Sequence, residues 1–443
     1  MDAPEPVAGA ATIRPRSRPW WLPRFIGGIP AIEPRLLNLL GLVALALCFE
    51  QYDFSMLTAA LKFIARDLGM AESDLGTYTA WIRFGALPAF LLIPFADRFG
   101  RRRLFLASVV GISIATCLTA FTRTRFQFVV MQMLSHTFMP IGSATAFVIA
   151  TEEFPAEHRG WGIGMLGALS ACGVGLGALL FATIEHLPYG WRTLYAAGIV
   201  PLVLLPRFRR GIPETLRFET HRQRRALREA KPSGAAGWLQ PLVELASIYP
   251  GRACGIAVLG GLMALGANSV FQFIGYFTQT AHAWVPWEFS LMVLCGGGVG
   301  IVGNVAAGRL GDVIGRRRTG LLFMSLFPVS AGVFYLGPGW SLPLAFCALV
   351  FCATASDVIV RALATESFPT SYRGTASGWL SLVETCGTAA GLAIVGLRTR
   401  QPGDLARVVT VLSLAVLVGA GALLLLPETQ RRALEAISPE DAE

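Results

Sequence analysis

The chain has 443 residues, 54% of them apolar and only 15% charged, with a mean hydropathy of +0.57. Soluble globular proteins carry about 45–50% apolar and about 25% charged residues, so this balance excludes a cytosolic enzyme, a disordered chain and a secreted disulfide scaffold. The net charge of +9 comes from 37 basic and 28 acidic residues. The arginines lie between apolar segments rather than on a polar surface, which argues against nucleic acid as partner and for the lipid bilayer.

The first 35 residues carry Pro and Arg but no apolar signal-peptide core. They read as a cytoplasmic tail with Trp20 and Trp21 at the interface. Apolar runs follow at 36–60, 76–96, 104–122, 126–151, 161–184 and 192–206, then at 252–280, 287–311, 319–337, 341–365, 374–397 and 405–426. A spanning helix needs roughly 20 such residues, so these runs predict an all-α membrane protein of twelve transmembrane helices. A β-barrel would show alternating segments of about ten residues, which are missing. The polar stretch 207–251, with five arginines between 217 and 228, reads as a solvated connector. The expected organisation is a tail (1–35), a six-helix bundle (36–206), the connector (207–251), a second six-helix bundle (252–426) and a tail (427–443).

All eight cysteines fall within apolar segments, without a CxxC pair or metal-ligand spacing. They are expected to be small core residues, and no metal or cofactor is expected. No P-loop is present, and no Ser/His/Asp or His/Asp constellation, so neither ATP-driven transport nor an enzyme is expected. Gly162-Ile163-Gly164-Met165-Leu166-Gly167 matches a dinucleotide fingerprint, but no strand precedes it, and close helix packing is the expected reason for it.

The even-numbered loops and both tails hold 27 of the basic residues, the odd-numbered loops eight. Positive charge marks the cytoplasmic side, which places both termini in the cytoplasm. Lys62 and Lys231 are the only lysines in an Arg-, Ala- and Gly-rich chain. That composition points to a bacterial inner membrane.

Three motifs occur twice in the same order. Asp97-Arg98-Phe99-Gly100-Arg101-Arg102-Arg103 recurs as Asp312-Val313-Ile314-Gly315-Arg316-Arg317-Arg318. Glu152-Glu153-Phe154-Pro155 with Arg159-Gly160 recurs as Glu366-Ser367-Phe368-Pro369 with Arg373-Gly374, and Pro213-Glu214-Thr215 as Pro427-Glu428-Thr429. Constant order and spacing imply two pseudo-symmetric six-helix bundles related by an axis along the membrane normal.

With these motifs the sequence resembles the major facilitator superfamily from about residue 36 to 432. The loop 2–3 pattern G-x-x-x-D-R-x-G-R-R is nearly complete in the second copy, with Val313 replacing a basic residue. The first copy has Ile93 in place of its glycine. The E-x-x-P-x-x-x-R-G and P-E-T motifs are similar to those of the sugar-porter and organic-acid:proton symporter branch. Helix 5 carries Gly173, Gly175 and Gly177 without the Gly-Pro pair of antiporters. The resemblance implies a cytoplasmic gate made by Asp97, Arg98, Gly100, Arg101, Asp312, Gly315 and Arg316. Glu152, Arg159, Glu366 and Arg373 would be its ion-pair partners. Alternatively these arginines only fix orientation. An aspartate beside a helix start also accepts its orphan N–H groups, a contribution of about 0.3–1 kcal/mol.

Ionisable residues within the membrane are costly and normally face a cavity or a partner. Asp53 of helix 1 and Arg83 of helix 2 lie at similar depth, with Gln132 of helix 4 beside them and Glu50 and His136 a turn deeper. The resemblance implies a proton-coupling aspartate in helix 1, here Asp53 within Glu50-Gln51-Tyr52-Asp53-Phe54. It also implies a helix 4 arginine, which is Gln132 here, leaving Arg83 as the cation. Asp53 therefore either couples protons, trading its pairing with Arg83 for protonation, or forms a static bridge with it. His136 is a second titratable candidate. Glu384 in helix 11 is another, without a sequence-local partner, whereas Asp357 and Arg361 form an i,i+4 pair. Gln132, Asn268, Gln272, Tyr276 and Asn304 suit a solute site or core hydrogen bonding.

The expected function is a secondary transporter, a proton symporter importing a small polar solute, with an organic anion favoured over a sugar by Arg83, Arg361 and His136. An exporter on the same fold is the alternative, followed by a membrane sensor. A monomer is expected.

Overall fold

The computed structural model describes residues 30, 32–93, 100–155, 157–214, 240–369, 372–401 and 403–428. The first half holds α1 (Pro34–Ala59), α2 (Leu61–Asp67), α3 (Glu72–Phe84), α4 (Leu87–Leu92), α5 (Arg101–Thr119), α6 (Arg125–Glu153) and α7 (Arg159–Phe181). It ends with the short helices α8 (Trp191–Ala196), α9 (Ile199–Val203) and α10 (Leu205–Gly211). After α11 (Gln240–Ile248), the second half contains α12 (Pro250–Ala281), α13 (Pro286–Ile314), α14 (Arg316–Leu336), α15 (Leu342–Glu366), α16 (Arg373–Arg398) and α17 (Asp404–Gly421).

Ten of these helices are long and apolar enough to cross a bilayer. The second and sixth of the twelve expected segments are broken instead, and proline is the cause. Pro88 has no N–H for the carbonyl of Phe84 and crowds it, so α3 ends there. Pro201 and Pro206 act in the same way on Ala197 and Leu202, dividing the sixth segment into α8, α9 and α10. Thr137 Oγ1 donates to the Gly85 carbonyl at 2.6 Å, which satisfies an acceptor at the break in the second segment.

Small residues set the packing inside each half. Gly173 and Gly177 of α7 lie against Cys48 and Ser55 of α1. Their counterparts 214 positions later, Gly387 and Gly391 of α16, lie against Gly261 and Leu265 of α12. A Cβ at any of the four would collide with its neighbour, so each half is built on one glycine-lined crossing. Gly162 packs against the Phe154 ring, but Gly164 and Gly167 face open space, so close packing accounts for only one glycine of that motif. The expected burial of the cysteines holds only for Cys352; Cys172, Cys254, Cys295 and Cys386 are exposed. A bilayer accepts apolar surface that water rejects, so an apolar run does not by itself separate core from lipid-facing positions.

The loops sort to two ends. At the arginine-poor end, Asp67 pairs with Arg192 and accepts from Trp191 Nε1 at 3.2 Å, while Arg192 Nη2 reaches the Thr122 carbonyl at 2.9 Å. At the arginine-rich end, the start of α5 meets the residues after α10, and the start of α14 meets those after α17.

The halves join at the arginine-poor end, chiefly through α3 with α16, α7 with α13 and α1 with α12. Gly76 and Gly396 touch, and a Cβ on Gly76 would lie 2.6 Å from the Gly396 Cα. Lys62 Nζ donates to the Gln279 carbonyl at 2.7 Å, and Gln279 Nε2 donates to that of Ala59 at 3.0 Å. Glu72 accepts from the Gly403 amide at 3.1 Å and from Tyr276 Oη at 3.5 Å.

Candidate functional site

Asp53 and Glu50 are 1% and 5% exposed, too deep for solvated carboxylates. Both are held by hydroxyls of α6. Ser135 Oγ donates to Asp53 Oδ2 at 2.6 Å, and Ser143 Oγ donates to Glu50 Oε1. Asp53 Oδ1 is buried without a partner. A cavity of about 20 Å³ beside Glu50 is lined by Ser108, Ser113 and Thr116 of α5, large enough for one water.

The pairing expected between Asp53 and Arg83 is not present. Arg83 Nη2 instead donates to Gln272 Oε1 of α12 at 3.0 Å, and its Cζ lies 4.3 Å from the Phe54 ring centroid. Such a cation–π contact contributes about 0.5–2 kcal/mol. The break in the second segment accounts for this placement. Arg83 sits in the last turn of α3, where the negative end of the helix dipole favours a cation. Pro88 thus ends the helix one residue after Arg83.

Three polar atoms are buried without hydrogen-bond partners: Nε of Arg83, Nε2 of its partner Gln272, and Nε2 of His136. The His136 ring lies 6.3 Å from that of Phe54, and its Nδ1 is 3.0 Å from the Gln132 carbonyl. Gln132, fully buried, donates to Thr119 at 3.1 Å and leaves its own Oε1 unpartnered.

The remaining expected solute residues do not converge on this cluster. Asn268 donates to Thr388 at 2.7 Å, fastening α12 to α16. Tyr276 belongs to the arginine-poor end with Glu72, because a full turn carries it past Gln272 toward the helix end. Asn304 is exposed on α13 and makes no hydrogen bond among the described residues. Glu384 does have a partner, Arg361 Nη2 at 3.6 Å, and Asp357 holds the same guanidinium at 2.8 Å. The partner lies on another helix, so sequence spacing could not show it.

At the arginine-rich end, Asp97 and Arg98 lie outside the described residues. Arg101 pairs with Glu152 at 3.3 Å, and Arg316 pairs with Glu366 at 3.3 Å and Asp312 at 3.1 Å. Each of these pairs lies within one half. Arg159 and Arg373 form no ion pair among the described residues. Gly100 and Gly315 precede α5 and α14 with φ of 103° and 104°, which only glycine adopts readily. In the second half the helix start is met by Glu428, not by the loop aspartate. Its two oxygens accept from the Arg316 and Arg317 amides at 2.9 and 3.1 Å. Glu214 accepts from the Arg102 amide at 3.1 Å in the first half. The recurrence of P-E-T carried that signal, since a carboxylate is the natural cap for orphan amides.

Two helical halves that close around buried polar groups at the middle define a multi-pass secondary transporter. The Major Facilitator Superfamily profile matches residues 43–392 and 256–441, and the chain belongs to that family. It is 25% identical to the gallate transporter of Pseudomonas putida, over 90% of this chain and 94% of that protein. It is 24% identical to the cis,cis-muconate transport protein of Acinetobacter baylyi, over 80% of this chain and 85% of that one. Among solved structures, a D-xylose-proton symporter superposes with a TM-score of 0.73 at 16% identity, covering 90% of this chain and all of that one.

Proposed function

We propose that this protein is a proton-coupled symporter that imports a small organic acid, with its arginine-rich end in the cytoplasm of a bacterial inner membrane. The observation that carries this reading is the Arg83 guanidinium. It lies inside the bundle, links the two halves through Gln272, and has no carboxylate within 4 Å among the described residues. A buried guanidinium without a counter-ion is costly in a membrane, and a carboxylate solute supplies that ion with bidentate geometry. The names of the gallate and cis,cis-muconate relatives fit an acid better than a sugar.

In this reading Asp53 takes up the proton, with Ser135 holding its charged form and Glu50 and Glu384 as further carboxylates. The moving bodies are 36–206 and 252–426, joined by 207–251. One chain supplies both, so a monomer suffices. The contacts of Lys62, Glu72 and Gln279 close the outer side, and the ion pairs of Arg101 and Arg316 brace the cytoplasmic ends of each half.

The test is uptake of labelled gallate, nicotinate, muconate and xylose into proteoliposomes under an imposed pH gradient, with Asp53→Asn in parallel. Acid uptake driven by the gradient and lost in Asp53→Asn is expected. Uptake of xylose alone, or accumulation that Asp53→Asn leaves intact, refutes the assignment.

A further inference from the structure

The two halves are fastened alike at the arginine-rich end but carry different side chains there. Arg102 Nη2 donates to the Arg209 carbonyl at 2.5 Å, and 215 positions later Arg317 Nη2 donates to the Leu424 carbonyl at 3.2 Å. At that offset Arg207, Arg209 and Arg210 correspond to Ala422, Leu424 and Leu425. Leu424 and Leu425 are 62% and 70% exposed, as apolar residues facing lipid are. The shared contact is to a backbone carbonyl, which leucine offers as well as arginine, so the fold itself does not call for arginine here.

In the first half Phe208 and Ile212 are fully buried and anchor α10, while Arg207, Arg209 and Arg210 are exposed. None of the three forms an ion pair among the described residues. Arg102 beside them has its Nε buried without a hydrogen-bond partner. The Glu214 carboxylate at this end accepts from the Arg102 amide at 3.1 Å. Apolar surface leads up to the arginines: Ile199 and Val203 of α9 are exposed, and Arg207 follows at the same four-residue spacing. The Leu204 amide donates to the Val200 carbonyl at 3.0 Å and the Phe208 amide to that of Leu204 at 3.1 Å, so the helical path carries that strip across Pro206 to the guanidiniums.

An apolar strip that ends in arginines where its counterpart ends in leucines has the polarity profile of a lipid-binding surface. We propose that the arginine-rich end of the first half binds an anionic phospholipid, with the phosphate on Arg207, Arg209 and Arg210 and an acyl chain along Ile199 and Val203. Guanidiniums take phosphate oxygens through paired N–H donors. A zwitterionic headgroup brings its own ammonium and leaves the arginines uncompensated, and free phosphate leaves the apolar strip unused. The second half, with leucines in these places, has no such site. The surface lies away from the buried central cluster, so the proposal does not depend on which solute is carried.

The experiment titrates phosphatidylglycerol and phosphatidylcholine, chain-matched, onto the purified full-length protein in detergent and reads bound lipid by native mass spectrometry. Phosphatidylglycerol should bind about tenfold or more tightly than phosphatidylcholine. In the triple variant Arg207→Gln, Arg209→Gln, Arg210→Gln that preference should fall to near one. A control with the same loss of charge at the arginine-poor end, Arg123→Gln, Arg398→Gln, Arg400→Gln, should keep it. Equal wild-type affinity for the two lipids overturns the proposal, and this comparison decides alone if the triple variant does not fold. A preference unchanged in the triple variant overturns it too, and an equal loss in the control shows that net charge, not this surface, holds the lipid. Displacement of phosphatidylglycerol by millimolar inorganic phosphate overturns the lipid as the ligand and leaves a phosphate site only.

Discussion

Arg83 of the first half donates to Gln272 of the second across 3.0 Å, so the cation inside the bundle is held in part by the half it does not belong to. Rocking of one half against the other must stretch or break this bond. Any solute held by Arg83 is therefore sensed by both halves, which is what alternating access requires of a central site.

Replacing Arg83 by lysine keeps the charge but removes the planar fork. Acid binding should weaken about tenfold or more in Arg83→Lys, and further in Arg83→Gln, as read by titration of the purified protein. Full affinity in the lysine variant would show that only charge matters there.

The cap on α14 gives a stability prediction. Glu428 accepts from two backbone amides, so Glu428→Ala should cost about 1–2 kcal/mol, in the range of lost helix caps. Glu428→Gln, which keeps one acceptor oxygen, should cost less. Unfolding in detergent measures both, and equal losses would assign the effect to charge alone.

Gly315 has φ 104° and ψ 150°, and Gly100 has 103° and 142°. This region is closed to side chains at a cost of about 1–3 kcal/mol. Gly100→Ala and Gly315→Ala should each destabilise by that amount. Gly374→Ala, where a Cβ meets nothing within 4 Å, should stay within about 0.5 kcal/mol. The three variants compared in one unfolding assay check the pattern.

Gly76 and Gly396 allow α3 and α16 to touch where the halves close. Gly76→Leu should hold that end apart, abolish transport and widen the distance between spin labels near Lys62 and Gln279. An unaltered distance with full transport would mean that the contact is not needed for closure.

The polar residues of the candidate site were visible before any fold. Asp53, Glu50, Arg83, His136 and Gln272 stand out because ionisable and amide groups are rare in apolar runs. Their pairing was not legible. Arg83 and Asp53 share a depth, yet the first meets Gln272 and Phe54 and the second meets Ser135. Depth fixes position along a helix but not the direction a side chain faces around it. Pro88, Pro201 and Pro206 stand four residues after the carbonyls they orphan, but Pro140 and Pro328 lie within continuous helices, so proline alone did not mark the breaks.

The sequence by itself determined the membrane class, the two-fold repeat and the arginine asymmetry of the loops, because each depends on composition and spacing along one chain. Hydrophobic length sets the spans, and the 214-residue offset of Pro213 and Pro427 marks the equivalence of the halves. Tertiary structure alone decided which polar groups meet. Glu384 finds Arg361, Glu428 finds the start of α14, and Arg83 finds Gln272. Each partner comes from a distant part of the chain, so spacing along a single helix does not reveal it.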